Sequence, residues 1–297
     1  MCRQPRLWKP RRSVRQWRPS AETDRLREVF PLPRKGPWHD AAALLSWGAI
    51  LVAITAQIAG PSWSTAAGLL FFVLGLAHGA GDENDGRIAR ITVTHAAAYL
   101  VAGTAVAGLF LVEPLSGLVL FLALSAWHFA RSDCALAPIT RYAIAGLAVG
   151  GSALFRQSET LSIFEFVTND AVPSAFIRLL AVIGGGGAVC AAMALLKSRR
   201  GFGHAIVALT ATVLLHPVLA VGLVFLVAHA VPVQQRQIAA YGRSAVIRAV
   251  AIPSAIATVG AAAIMGLVTS GLLALPYAVA LAFGMATPHM LTERLER

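Results

Sequence analysis

From residue 41 onward the chain alternates long apolar runs with short polar breaks, at 41–59, 64–81, 91–112, 114–130, 142–155, 175–196, 204–215, 217–231, 245–269 and 272–290. Most of these runs approach the ~20 residues that a helix needs to cross a hydrocarbon core of about 30 Å. The pattern predicts an all-α, polytopic transmembrane bundle of about 8–10 helices. The count turns on residues 204–231, which are either one long tilted helix or two short arms folded back at His216-Pro217. Proline removes a backbone donor and disfavours helix in the residue before it, so a break is expected there. A single span would also move Arg236, Arg243 and Arg248 to the opposite side of the membrane. Two short arms, and ten helices in all, are therefore expected.

Composition agrees: 57% of residues are hydrophobic and 13% charged, about half the charge of an ordinary soluble chain. The formal net charge of +11 is concentrated, because residues 1–36 hold eleven Lys and Arg against Glu22, Asp24 and Glu28. This divides the chain into a basic arm over residues 1–40, expected to be disordered, and a transmembrane domain over 41–292. Trp8 and Trp17 lie in the arm. A basic tract just ahead of a span reads as a cytoplasmic anchor on anionic membrane lipids, and no nucleic-acid partner is expected. With the arm inside, the breaks after the even-numbered runs carry Arg87, Arg90, Arg131, Arg141, Lys197, Arg199, Arg200, Arg236, Arg243 and Arg248, as the positive-inside rule requires. The expected location is the inner or plasma membrane with a cytoplasmic N-terminus, and no cleavable signal peptide is expected ahead of the first run. Cys2, Cys134 and Cys190 form no CxxC, so neither a disulfide framework nor a zinc site is expected. The Gly184 to Gly187 run in the sixth helix is either a hinge or a close helix contact, and close packing is the commoner use of small residues in a bilayer.

Ionisable side chains at membrane depth are costly, and the few present are candidates for chemistry. His78, His128, His229 and His289 fall at the same end of the second, fourth, eighth and tenth runs. Four imidazoles at one depth on helices of equal direction can converge in a bundle, and neutral imidazole is the commonest transition-metal ligand. Asp82 follows His78 by four residues and Asp133 follows His128 by five. Either carboxylate can hold an imidazole N–H and so fix which nitrogen faces a metal. A solitary histidine near a helix end is more often hydrogen-bonded to water or headgroups, the reading given to His39, His95, His204 and His216.

These residues resemble the Brp/Blh-like carotenoid oxygenases, membrane enzymes that cleave β-carotene centrally to two molecules of retinal. The family's His-Gly-x-x-Asp motif is matched by His78, Gly79 and Asp82, and its His-Phe with a following Asp by His128, Phe129 and Asp133, with Ser125 ahead. A Pro-Leu-Ala stretch leading to Phe and His is matched by Pro217, Leu219, Ala220, Phe225 and His229, and the terminal Pro-His-Met by Pro288, His289 and Met290. The likeness covers roughly residues 60–292 and leaves the arm outside it. Where the family has Trp-His-Ser and a further histidine four residues on, this chain has Ala228-His229-Ala230 and Val233, and Ala77 stands where the family often has Pro. The resemblance implies a mononuclear Fe(2+) held by His78, His128 and His229, with His289 available to complete the set. It also implies a catalytic role for Asp82 and Asp133 as groups that orient the ligands, a lipid-dissolved carotenoid as substrate, and O2 as co-substrate.

The alternatives are a catalytically silent carotenoid- or retinal-binding membrane protein and a small-molecule transporter. A haem carrier could use two of the histidines as axial ligands. A di-iron hydroxylase is excluded by the lack of HxxxH and HxxHH boxes.

Overall fold

The computed structural model describes residues 37–76, 83–84, 87–88, 93–132, 136–197 and 199–295, with the side chains at 37–40, 83–88, 95, 96, 289 and 291–295 outside the description. Residues 1–36, with Cys2, Trp8 and Trp17, and also Ala77, His78, Gly79, Asp82, Arg90, Asp133 and Cys134 lie outside the described residues.

The elements are helical apart from a two-residue ladder pairing Glu83–Asn84 (β1) with Arg87–Ile88 (β2). In chain order they are α1 Pro37–Ala59, α2 Pro61–Gly75, α3 Val93–Val112, α4 Pro114–Ser132, and α5 Pro138–Gly146. A π-helical turn, π1 Leu147–Gly151, leads into α6 Ser152–Phe155, and α7 Gln157–Thr168, α8 Ser174–Leu196 and α9 Phe202–Leu214 follow. Then come α10 Pro217–Leu223, a second π-helical turn π2 Val224–Ala230, α11 Val231–Tyr241, α12 Arg243–Thr269 and α13 Leu275–Leu295. Pro61, Pro138 and Pro217 open their helices, where the missing N–H costs nothing. Among the described residues five helices are long and apolar enough to cross a membrane, and shorter apolar helices accompany them. The chain is a multi-pass membrane protein of the all-α class.

Each of the ten apolar runs has its helical segment, and the backbone breaks at His216-Pro217. The arm before the break is short, but the one after it is not: the helix runs from Pro217 to Tyr241, past the expected end at Val231. Pro232 does not stop it. A proline ring collides with the carbonyl four residues back, and the wider winding of π2 lies just where that carbonyl falls.

Helices approach closely where glycines face backbone. Gly68 of α2 meets Gly222 of α10, Gly150 of π1 meets Gly184 of α8, and Gly103 of α3 meets Gly284 of α13. Gly187 packs against Gly146, so the glycine run in α8 is a packing surface, while Gly185 and Gly186 face open space. The continuous helix 217–241 is central: 72% of its most apolar stretch is buried, against 6% for α12.

Polar groups close the bundle at the tip where the chain breaks. The His216 backbone N–H donates to Gln57 Oε1 at 2.7 Å, and Arg156 donates from Nη2 to the Leu214 carbonyl at 2.9 Å and from Nη1 to Glu159 at 2.8 Å. The bonds to the His216 N–H and the Leu214 carbonyl satisfy backbone groups that the break would otherwise leave unpaired. Burial lowers the His216 pKa; the Glu159 carboxylate opposes that shift and the Arg156 guanidinium adds to it.

Candidate functional site

Near its C-terminal end α4 turns Ser125, His128, Phe129 and Ser132 inward, and all four are buried. Spacings of three and four residues put Ser125, His128 and Ser132 on one stripe of the helix. Across from them, π2 carries Phe225 and His229. His128 is 4% exposed and His229 2%, so neither is an interfacial residue wetted by solvent.

The two imidazoles meet. His128 Nε2 lies 3.1 Å from His229 Nε2, and the rings cross at 72° with centroids 4.9 Å apart. The Ser132 hydroxyl oxygen is 3.4 Å from the other nitrogen of His229, Nδ1. Phe129 sits edge-on to the His229 ring at 4.7 Å, and Phe225 lies nearly parallel to it at 6.0 Å. Phe72 of α2 backs Phe225 at 5.4 Å. Gly75 makes room for this arrangement, since a methyl group there would collide with the Phe225 ring. The result is an imidazole pair with a hydroxyl, walled by aromatic rings and cut off from water.

The other anticipated residues are distributed as follows. His289 lies on α13, where its neighbour Met290 receives a contact from Ser125 Oγ to Sδ at 3.8 Å. That contact brings the helix bearing His289 against α4 one turn from His128; the His289 side chain itself is outside the described residues, as are His78, Asp82 and Asp133. Among the described residues no group of three His, Cys, Asp or Glu converges. Val233 is buried at 5% exposure, on the same helix as His229 and four residues beyond it. Sequence reasoning missed Ser132, Phe72 and Gly75. The i+4 spacing of Ser132 from His128 was the available signal, and a carboxylate one residue further on drew attention away from it.

A pair of buried imidazoles can do two things. With one proton between them they form a neutral hydrogen bond. With both Nε2 lone pairs turned inward they suit two adjacent ligands of one ion, because bonds of about 2.1 Å at a right angle set two nitrogens roughly 3 Å apart. The donor set therefore fits a transition metal. An open cavity of about 570 Å³ lined by Arg156, Glu159 and Val213 is not part of this site. It lies by the Leu214 carbonyl at the broken tip, and the helix from Pro217 to His229 separates the two by roughly 18 Å at 1.5 Å per residue.

Residues 69–295 match the family model described as Beta-carotene 15,15'-dioxygenase. No curated protein and no solved structure matches the chain. The matched region contains both histidines, the aromatic wall around them and α13 with Met290. The chain belongs to the β-carotene 15,15'-dioxygenase family, as a multi-pass membrane protein whose described core brings two histidines of the family-like motifs together.

Proposed function

We propose that the protein is an iron-dependent dioxygenase that cleaves β-carotene, or a related carotenoid, at its central double bond to give retinal. The observation that carries this reading is the buried His128–His229 pair, 3.1 Å apart inside the region the family model matches. His128 and His229 are assigned as two ligands of a ferrous ion. His78 and His289 are assigned to complete the set, with Asp82 and Asp133 holding imidazole N–H groups.

When bound, the ferrous ion supplies an open position and the one-electron chemistry through which dioxygen reacts with a polyene. The protein's own part is to hold, shield and admit. His128 and His229 approach from facing helices and fix two donors within an apolar wall. Phe129, Phe225 and Phe72 exclude water from the reacting region, which protects a radical- or cation-like centre from side reactions. The substrate is a hydrocarbon dissolved in the bilayer, so it reaches a buried site sideways between helices and needs no aqueous channel. The balance is simple: the central C=C and the O=O bond are broken, and each half of the polyene leaves with one oxygen as an aldehyde. We further propose that the protein sits in the cell membrane with its N-terminus in the cytoplasm, on the strength of the cation distribution.

The test is expression in a host that makes β-carotene. Bleaching with retinal in the extract supports the reading. Retained pigment with no retinal and no oxygen uptake would instead favour a silent carotenoid binder, which Val233 in place of a family histidine makes the competing reading.

A further inference from the structure

We propose that Ser132 is a positioning residue that holds the His229 imidazole with Nδ1–H toward α4 and the Nε2 lone pair toward His128. This rests on the imidazole-pair reading of the site but makes its own claim about one proton.

Both ring nitrogens of His229 are approached from a single helix: His128 reaches Nε2 at 3.1 Å, and Ser132, one turn further along α4, reaches Nδ1 at 3.4 Å. Ser132 is 3% exposed, so bulk water does not take its place. A hydroxyl oxygen has two lone pairs and can accept whatever direction its own proton takes, so Ser132 Oγ can accept from Nδ1–H. With the oxygen accepting from Nδ1–H, the Nε2 of His229 carries the lone pair, which is the form a metal ligand needs. The phenyl rings of Phe129 and Phe225 cover the imidazole and fix its plane, but they cannot choose between its tautomers. Ser132 therefore does for His229 what a carboxylate does in the common carboxylate–histidine–metal arrangement.

The size of the effect follows from the contact. Loss of such an outer partner costs roughly 10–100-fold in metal affinity, and 3.4 Å is long for a hydrogen bond. The lower end, about tenfold, is expected.

The experiment uses the full chain in lipid nanodiscs, with cobalt(II) as the spectroscopic stand-in for ferrous ion. Affinity is read by chelator competition, and the protonated nitrogen of His229 by nitrogen-15 NMR of histidine-labelled protein without metal, its signal assigned by loss in His229→Gln. Ser132→Ala should bind cobalt about tenfold more weakly and lose the preference for Nδ1–H, with the helical fold retained by circular dichroism; Ser132→Thr, which keeps the hydroxyl, should restore both. Ser132→Ala matching the parent in affinity and tautomer overturns the proposal and leaves the metal reading intact. A parent with the proton on Nε2 of His229 overturns it whatever the metal does. A parent that binds no cobalt, yet shows Nδ1–H that Ser132→Ala abolishes, removes the metal reading and upholds the role of Ser132.

Discussion

The His128–His229 contact joins α4 to π2 across 101 residues of chain, and a double-mutant cycle tests it without any metal. Leucine replaces either imidazole at similar volume, so cavity terms stay small. Each single substitution leaves the opposite buried ring without one of its partners, in surroundings 4% and 2% exposed. Withholding a partner from a buried polar group costs about 1–3 kcal/mol, whereas replacing both members of a pair by apolar groups of similar shape is nearly neutral. His128→Leu and His229→Leu should therefore each destabilise by about 1–3 kcal/mol, and the double variant by no more than either. The coupling is then at least about 1 kcal/mol, outside the 0.3–0.5 kcal/mol within which independent sites add. The assay is reversible unfolding in mixed micelles by titrated denaturing detergent, with chelator present throughout. Two single effects that sum within 0.5 kcal/mol would refute the contact, and with it the alignment of α4 and π2 on which the site depends.

Gly150→Leu should destabilise the bundle by at least about 1–3 kcal/mol, because its side chain has only the Leu180 carbonyl and the Gly184 backbone to move into. Gly185→Ala, facing open space away from that contact on α8, should be neutral or stabilising by up to about 1 kcal/mol; the same unfolding assay reads both, and equal effects would contradict the packing. Burial depresses the His216 pKa in the folded state, so its contribution to stability is fully present above the unfolded value near 6.5 and is lost as pH falls below that value through the folded one. Thermal midpoints measured between pH 8 and 5 should fall on acidification, and less steeply in His216→Gln, the reverse of which would refute the assignment. Val233→His should cost about 1–3 kcal/mol from overpacking a position 5% exposed, and the parent should cleave carotene without it. Retinal formed by Val233→His but not by the parent would show that the natural chain lacks a needed ligand.

Much of this was legible in the sequence, for physical reasons that differ from residue to residue. The ten helical segments follow from bilayer thickness, and the shared depth of His128 and His229 follows from counting residues from the helix ends. Gly184 and Gly187, three apart on one face, fitted the reading of close packing. The expected end of the run at residue 231 was misleading, because a proline that breaks a helix and one, such as Pro232, that a π turn accommodates look alike in sequence. The identity of the central helix was not readable at all. The most apolar stretches of residues 217–241 and 243–269 have the same mean hydropathy of 1.9, yet one is 72% buried and the other 6%. In a bilayer, lipid and protein interior are equally apolar, so hydropathy finds a span without telling which way it faces. Ser132 carried only the weak signal of its spacing from His128, for a related reason: a hydroxyl acquires its meaning only from the ring that lies opposite.

The winding of π2 makes the site a matter of phase as well as of side-chain identity. Relative to an α-helix, a π turn accommodates one additional residue, and each residue advances an α-helix by about 100°. Wound as an ordinary α-helix at unchanged length, the segment Val224–Ala230 would no longer absorb that residue, and His229 would swing roughly a quarter-turn away from α4. Removing one residue between Val224 and Ala228 together with the π winding would restore its phase. A chain can thus carry every recognisable motif residue, and those residues meet only if its length and its winding agree here.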